Sequence, residues 1–342
     1  MCKFYIILLV LFIIYINVNR NSLFKCKEMK GGKILNIAGL NIPKKIHLTC
    51  KNKHNIDNIV WKNCFKKYKL LYPDYEIIIY DNKDIYNIIE KYYPEYLKKI
   101  KQIKIGAILA DIFRYLILYL EGGIYSDFDC EPIKKVDELL DPNFKYYHGD
   151  NSDQNNYWIY KTKEQIINKE WDFTHNICDN CRVINNKNNP IHMKCLGHKM
   201  GDISTILGYE FHSDFIDIKT VIDNDRAIGN KYKDAVKIYN LQICQWFMIT
   251  KPKQDIFLKM FHSIMQKLDI LINIDKNDKD YTHTVINITG PSGFTKIVMN
   301  NLTDKIKILP CDFFCSGSWN GSVPLTNNSY IKHHFTGSWL KT

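Results

Sequence analysis

The chain has 342 residues, 47 of them Lys or Arg against 36 Asp or Glu, for a formal net charge of +11. Hydrophobic residues make up 46% and aromatics 13%, with 16 Gly and 10 Pro, which excludes a disordered tail, a collagen-like chain and a low-complexity chain. The length permits one large domain or two small ones, and the basic residues are scattered: the densest patch, Lys98 to Lys104, alternates with apolar residues as an amphipathic helix does, so no nucleic-acid partner is expected.

Phe4 to Val18 is almost wholly apolar and carries no charge. Its length lies at the boundary between a membrane span and the apolar part of a signal peptide. No small-x-small cleavage site follows, since Asn17-Val18-Asn19-Arg20 is poor for that. Residues 1–20 are therefore expected to be a signal anchor, or else a signal peptide. A single-pass protein with its catalytic mass in a Golgi- or ER-like lumen is the first expectation. Lys3 precedes the segment while Arg20, Lys25, Lys27, Lys30 and Lys33 follow it, which argues for the opposite orientation. The 11 cysteines are an odd number in a long chain, unlike a small disulfide scaffold. Asn287, Asn301, Asn320 and Asn327 are Asn-x-Ser/Thr acceptors, usable only on a translocated chain.

Residues 21–40 are polar, basic and carry Gly31-Gly32, so they read as a stem, and the folded part is placed at 41–342. Ile42 to Leu48 reads as a strand with Pro43 at its start, Ile59 to Leu71 as a helix, Tyr75 to Tyr80 as a buried strand and Asp81 to Tyr93 as a second helix. Such alternation implies parallel pairing in an α/β sheet. Ile105 to Leu120 is apolar nearly all round and reads as a buried helix ended by Glu121-Gly122-Gly123. Ile124 to Cys130 then reads as a strand running into a polar end. Residues 145–240 are polar, Asn- and Lys-rich and poorly periodic, and read as an elaboration on the domain. Beyond them Gln242 to Thr250 reads as a strand, Gln254 to Leu271 as a helix and Ile306 to Leu309 as a strand.

Residues two apart in a strand share a face, so Asp127 and Asp129 should project together. Two carboxylates at a strand exit form a hard-oxygen site suited to Mg²⁺ or Mn²⁺. Asp111 and Arg114 are the only charges in the buried helix and lie three apart on one face. Buried charges are costly unless paired or used, so they form either an intrahelical ion pair or a grip on sugar hydroxyls. A second cluster, Cys178, Cys181, His192, Cys195 and His198, offers zinc-compatible ligands, with disulfides or no role as alternatives.

Leu109-Ala110-Asp111-Ile112-Phe113-Arg114-Tyr115-Leu116 followed by Gly122-Gly123-Ile124-Tyr125-Ser126-Asp127-Phe128-Asp129 resembles the signature of glycosyltransferase family 32, and is similar to a helix and strand in the glucosylating domains of large clostridial toxins. Ile42 to His47, Tyr72 to Glu76, Thr250-Lys251-Pro252, Thr289-Gly290-Pro291 and His333 to Trp339 resemble further blocks of that family. The resemblance implies a GT-A nucleotide-sugar transferase fold, with a Rossmann-like, mostly parallel central sheet flanked by helices. It implies metal-dependent, configuration-retaining transfer of a hexose, from GDP-mannose or a UDP-hexose, to a glycan, glycolipid or glycoprotein. Asp129 would bind Mn²⁺ or Mg²⁺ directly, Asp127 would contact ribose or sugar and support the metal through water, and His334 would be a further metal ligand. His47, Asp111, Arg114 and Tyr125 would serve the donor, and Ser338 and Trp339 would close over its diphosphate. The stretch His47-Leu48-Thr49-Cys50 departs from the family's usual His-Gln-aromatic continuation, which bears on the choice of nucleotide. The alternatives are a transferase that glucosylates protein side chains, and an inactive sugar- or nucleotide-binding descendant.

Overall fold

The computed structural model describes residues 42–54, 56–146, 157–159, 181–184, 192–195, 198–212, 241–317 and 325–337. Phe4 to Val18, the stem, Cys178, Asn320, Ser338 and Trp339 lie outside them. Among the described residues no helix is long and apolar enough to cross a membrane.

The first half alternates as its sequence pattern requires. Strand β1 (Lys45–Thr49) leads to helix α1 (Ile59–Leu71), whose first turn is capped by the Asn58 side chain accepting from the Val60 and Trp61 N–H groups. Strand β2 (Glu76–Tyr80) is followed by α2 (Asn82–Tyr92), begun by a reciprocal capping box between Asp81 and Asp84. Pro94 does not merely interrupt that helix but opens α3 (Pro94–Ile100), where its missing N–H costs nothing. The buried helix is α4 (Gly106–Glu121), and β3 (Gly123–Ser126) leaves it directly.

Strands β2, β1 and β3 pair in parallel. After the short strand β4 (Cys130–Pro132) the chain reaches β10 (Thr205–His212), β11 (Leu241–Ile243) and β12 (Phe247–Thr250), by way of β5 (Lys145–Tyr146), β6 (Tyr157–Ile159), β7 (Cys181–Ile184), β8 (His192–Cys195) and β9 (His198–Lys199). β12 lies antiparallel to both β3 and β10, and β10 also pairs antiparallel with β11. Helices α5 (Asp255–Met265), α6 (Leu268–Asn273), α7 (Tyr281–Ile288) and α8 (Pro291–Met299) precede β13 (Ile306–Leu309), which joins β10 in parallel. Helix α9 (Cys311–Phe314) and β14 (Ile331–His333) complete the order, with β14 antiparallel to β4. The result is the expected α/β sheet between helices, parallel on its first three strands and mixed beyond them.

Alternate residues of the central strands enter two cores. Tyr125, Leu207 and Met248 pack with α4 and α5 on one face, and Ile124, Ile206 and Ile249 pack with residues of α1 and α9 on the other. The placement of β10 corrects the sequence reading of 145–240. Thr205 to His212 lies within the sheet rather than in a surface elaboration, because a strand buried on both faces carries no alternation to mark it. The single strand expected over Gln242 to Thr250 is two, broken at Cys244 to Trp246, and the helix expected over Gln254 to Leu271 is broken between α5 and α6.

Gly122 and Gly123 are required by the turn between α4 and β3. Both have positive φ, +64 and +90, and a Cβ on Gly122 would lie 2.5 Å from the Pro252 nitrogen, one on Gly123 2.7 Å from the Lys45 carbonyl oxygen. His47 lies beneath this turn. It is fully buried, and its Nε2 lies 2.9 Å from the Gly122 carbonyl oxygen and its Nδ1 3.0 Å from the Tyr80 hydroxyl. A carbonyl only accepts, so Nε2 carries the proton and Nδ1 accepts from Tyr80. The expected donor contact of His47 is thereby corrected: both ring nitrogens are engaged within the protein, Nε2 by the glycine turn and Nδ1 by Tyr80.

Burial pushes the His47 pKa down to about 4, against the opposing pull of Glu121 and Gly122. A folded-state pKa below the unfolded value near 6.5 means a contribution fully present above about pH 6.5 and lost as pH falls toward 4. Asp111, pushed up to about 6 by burial, works the other way over much of the same window. The test is therefore a difference. Between pH 7 and pH 4 the unfolding free energy of the wild type should fall by up to about 3 kcal/mol more than that of His47→Gln, read by urea denaturation. Parallel curves for the two proteins would contradict this role.

Candidate functional site

The site forms where the carboxyl end of β3 meets the start of β12, beyond the ends of the parallel strands, where open α/β sheets bind their ligands. The strand expected to run to Cys130 stops at Ser126. Residues 127–130 form a tight turn closed by the Cys130 N–H donating to the Asp127 carbonyl at 3.1 Å, and the Asp127 N–H donates to the Trp246 carbonyl at 2.8 Å. A turn rather than strand alternation therefore presents the two carboxylates. Phe128 between them is buried, as expected, and stacks on Trp61 of α1 with ring centroids 5.4 Å apart.

Arg114 is the centre of the buried side. Its Nη2 lies 3.0 Å from Asp111 Oδ1 and 3.1 Å from Asp127 Oδ1, and its Nη1 donates to the Gln245 carbonyl at 3.0 Å. Its guanidinium carbon sits 4.8 Å from the centroid of the Tyr125 ring, whose hydroxyl donates to Asp127 Oδ1 at 2.8 Å. Asp111 has further partners. Thr289 Oγ1 donates to Oδ2 at 2.6 Å and Gln245 Nε2 to Oδ1 at 3.2 Å. Tyr115 donates to Gln245 Oε1 and lies 3.0 Å from the Thr289 carbonyl oxygen. The ion pair expected of Asp111 and Arg114 thus exists, and extends across the sheet to the first aspartate of the turn. Burial raises the pKa of Asp127 and of Asp111; Arg114 opposes this at both.

Asp129 is held by the C-terminal segment. His333 Nε2 lies 3.2 Å from Oδ1, while the Thr336 N–H and Oγ1 donate to Oδ2 at 2.9 and 2.8 Å. Burial works against the charge of Asp129, but His333 and Thr336 outweigh it and hold the carboxyl well below the usual carboxylate range. Asp127 keeps 28% of its side chain exposed and Asp129 13%, so the pair is reachable from solvent.

His334, the histidine expected at a metal, lies instead against Glu131, with Nε2 2.5 Å from Oε2, and Lys67 pairs with the other oxygen. His333 is the histidine on Asp129. Its ring is buried between Trp246 and Phe335, at centroid distances of 4.6 and 3.9 Å. Strand alternation from the buried Ile331 would have selected His333 over its neighbour. Among the described residues, Asp129, Cys130 and His333 form a group whose ligand atoms lie within 4.8 Å of one another. Burial drives the Cys130 thiol well above its ordinary pKa. Of the zinc-compatible cluster, Cys178 is outside the described residues and only backbone is described for Cys181, His192, Cys195 and His198; Cys181 and Cys195 are register partners across β7 and β8.

Gln245, Thr289, Tyr115, Thr336 and Glu131 had no role in the sequence reading. Thr289 and Thr336 lay in blocks that resembled the family, but nothing in their spacing links them to Asp111 or Asp129.

Residues 59–145 match the family model described as a glycosyltransferase sugar-binding region containing a DXD motif. The match covers about a quarter of the chain. The matched stretch runs from α1 to the start of β5 and includes Asp111, Arg114, Tyr125, Asp127 and Asp129. Among curated proteins, the chain is 36% identical over 99 residues to mannosyl phosphorylinositol ceramide synthase SUR1 of Saccharomyces cerevisiae, covering 29% of this chain and 25% of that protein. It is 31% identical over 121 residues to inositol phosphoceramide mannosyltransferase 3 of Schizosaccharomyces pombe, covering 35% and 33%. A longer match, 23% identical over 326 residues, is to the initiation-specific alpha-1,6-mannosyltransferase of the same yeast, covering 87% of this chain and 64% of that one. The matches thus span a quarter to a third of the first two relatives' length. Among solved structures, the PaToxG glycosyltransferase superposes with a TM-score of 0.35 at 14% identity, over 76% of this chain and 70% of that one.

Proposed function

We propose that the protein is a metal-dependent, retaining glycosyltransferase of GT-A type that moves a hexose from a nucleotide sugar to a glycan or glycolipid acceptor. The reading rests chiefly on the continuous set Asp111, Arg114 and Asp127 beside Asp129, within the matched sugar-binding region. One matched relative is named an inositol phosphoceramide mannosyltransferase and another a mannosyl phosphorylinositol ceramide synthase, which favours mannose over glucose and a lipid acceptor.

The Asp129 carboxylate and the His333 imidazole, whose ligand atoms lie within 4.8 Å of one another and of the Cys130 sulfur, fit a divalent cation, and Mn²⁺ accepts both oxygen and imidazole. When bound there, the cation would neutralise the departing diphosphate, which contributes several kcal/mol to such a reaction. The protein's own groups do the rest. Arg114 keeps Asp127 in place without solvent reorganisation, and Asp111 sits fixed by Thr289 and Gln245 before any sugar arrives. Trp246 and Phe335 wall the His333 side with apolar surface and so lower the local dielectric. An N-terminal anchor, with the catalytic part on the lumenal side, belongs to the same proposal.

The test is hydrolysis and transfer across a panel of GDP- and UDP-sugars, with Mn²⁺ and with a chelator. Turnover of GDP-mannose that vanishes on chelation and returns with Mn²⁺ is the expected result. No turnover of any donor in Mn²⁺, or turnover indifferent to chelator, would overturn the reading.

A further inference from the structure

Asp129 is gripped unequally at its two oxygens. Oδ2 receives both polar hydrogens of Thr336, from the backbone at 2.9 Å and the hydroxyl at 2.8 Å. Among the described residues Oδ1 meets His333 Nε2 alone, at 3.2 Å, the longest of these contacts. The backbone is bent to make this possible. The His334 N–H donates to the Asp129 carbonyl at 2.9 Å, and the next residue, Phe335, has φ +44. That left-handed conformation is one which L-residues adopt at a cost. It reverses the chain so that Thr336 returns to the same aspartate. The Phe335 ring, 3.9 Å from His333 and 5.3 Å from Trp246 by centroid, secures the bend.

We infer that Thr336 is a positioning residue for the metal: it pins Oδ2 of Asp129 so that Oδ1 and His333 Nε2 face each other as a ready pair of ligand atoms. The inference rests on the metal-dependent reading above. Thr336 touches neither cation nor sugar in this arrangement; it acts through Asp129. Groups that hydrogen-bond a metal-binding carboxylate fix its orientation, and losing one weakens metal binding without removing a ligand. The two donors on one oxygen also divide the labour. The N–H is supplied by the bend and survives substitution, while the hydroxyl depends on the side chain being Thr or Ser.

The test is Mn²⁺ binding to the full chain without donor, followed by electron paramagnetic resonance of the free ion, beside thermal melting of each protein. Thr336→Val should bind Mn²⁺ about 10-fold more weakly than wild type, and Thr336→Ser should restore most of the affinity. Thr336→Ala gives the same comparison should the valine variant fold poorly. Unchanged or tighter binding in the hydroxyl-free variants would overturn the inference, as would a serine variant as weak as valine. A purely structural threonine would lower the melting temperature and leave Mn²⁺ affinity alone. Wild-type protein that binds no more Mn²⁺ than Asp129→Asn would sink the metal reading itself, and this inference with it.

Discussion

Asp129→Asn should reduce nucleotide-sugar turnover by on the order of 1000-fold while the protein stays folded. The reasoning follows from the unequal environments of the two aspartates. Asp129 is still reachable from solvent, and the stabilisation of its charge by His333 and Thr336, against the raised pKa of Asp127, marks it as the firmly anionic member of the pair. An amide keeps the shape but supplies one weakly coordinating oxygen and no charge, so a cation would lose its principal anchor. The structural cost should be about 1–3 kcal/mol, the usual worth of hydrogen bonds to a charged group. Its folded-state pKa is lowered, so this contribution is present above the unfolded value near pH 4 and disappears only in stronger acid. The measurements are donor hydrolysis in saturating Mn²⁺ and urea denaturation at pH 7. Turnover within a few-fold of wild type would show that the cation, if used, is held elsewhere.

Arg114→Met should have its largest effect on stability, about 3–5 kcal/mol, since it leaves the buried Asp111 and the part-buried Asp127 beside one another with no counter-charge. Methionine fills much of the volume, so the loss is electrostatic rather than a cavity effect. Both Asp111 and Asp127 already have raised pKa values from burial, and Arg114 is what keeps them from rising further. Without it they should bind protons in the folded state at higher pH than in the unfolded chain. Stability should then recover as pH falls, so the deficit is greatest near pH 8 and smaller near pH 5. Arg114→Lys should also fail, because one ammonium cannot replace a fork that reaches Asp111, Asp127 and the Gln245 carbonyl together. Denaturation midpoints at the two pH values decide the matter. A loss under about 1 kcal/mol and independent of pH would mean that the three groups are not coupled as described.

Much of this site was legible before any coordinates. An apolar helix with one acid and one base three apart stands out because burying charge is costly, and a glycine pair followed by Asp-x-Asp stands out because only a tight turn needs both. These are local signals, and the structure keeps Asp111 and Arg114 on α4 and the two aspartates beside β3. Two expectations carried by the family resemblance did not survive contact with tertiary structure. His47 was expected at the donor, yet β1 lies between β2 and β3, which encloses it under the glycine turn. His334 and His333 are indistinguishable by type, and it is their place on β14, with His333 in register with Cys130 of β4, that turns His333 to Asp129.

The amino-acid sequence alone determined the helix and strand order from β1 to β3, the buried pair Asp111 and Arg114 and the neighbouring pair Asp127 and Asp129, because each depends on periodicity or on residues within a few positions of one another. Tertiary structure alone decided that β10 lies inside the sheet, that Gln245 and Thr289 hold Asp111, and that His333 and Thr336 hold Asp129. Those partners are more than 130 residues apart in the chain, and no local pattern encodes a contact that exists only once distant strands have paired.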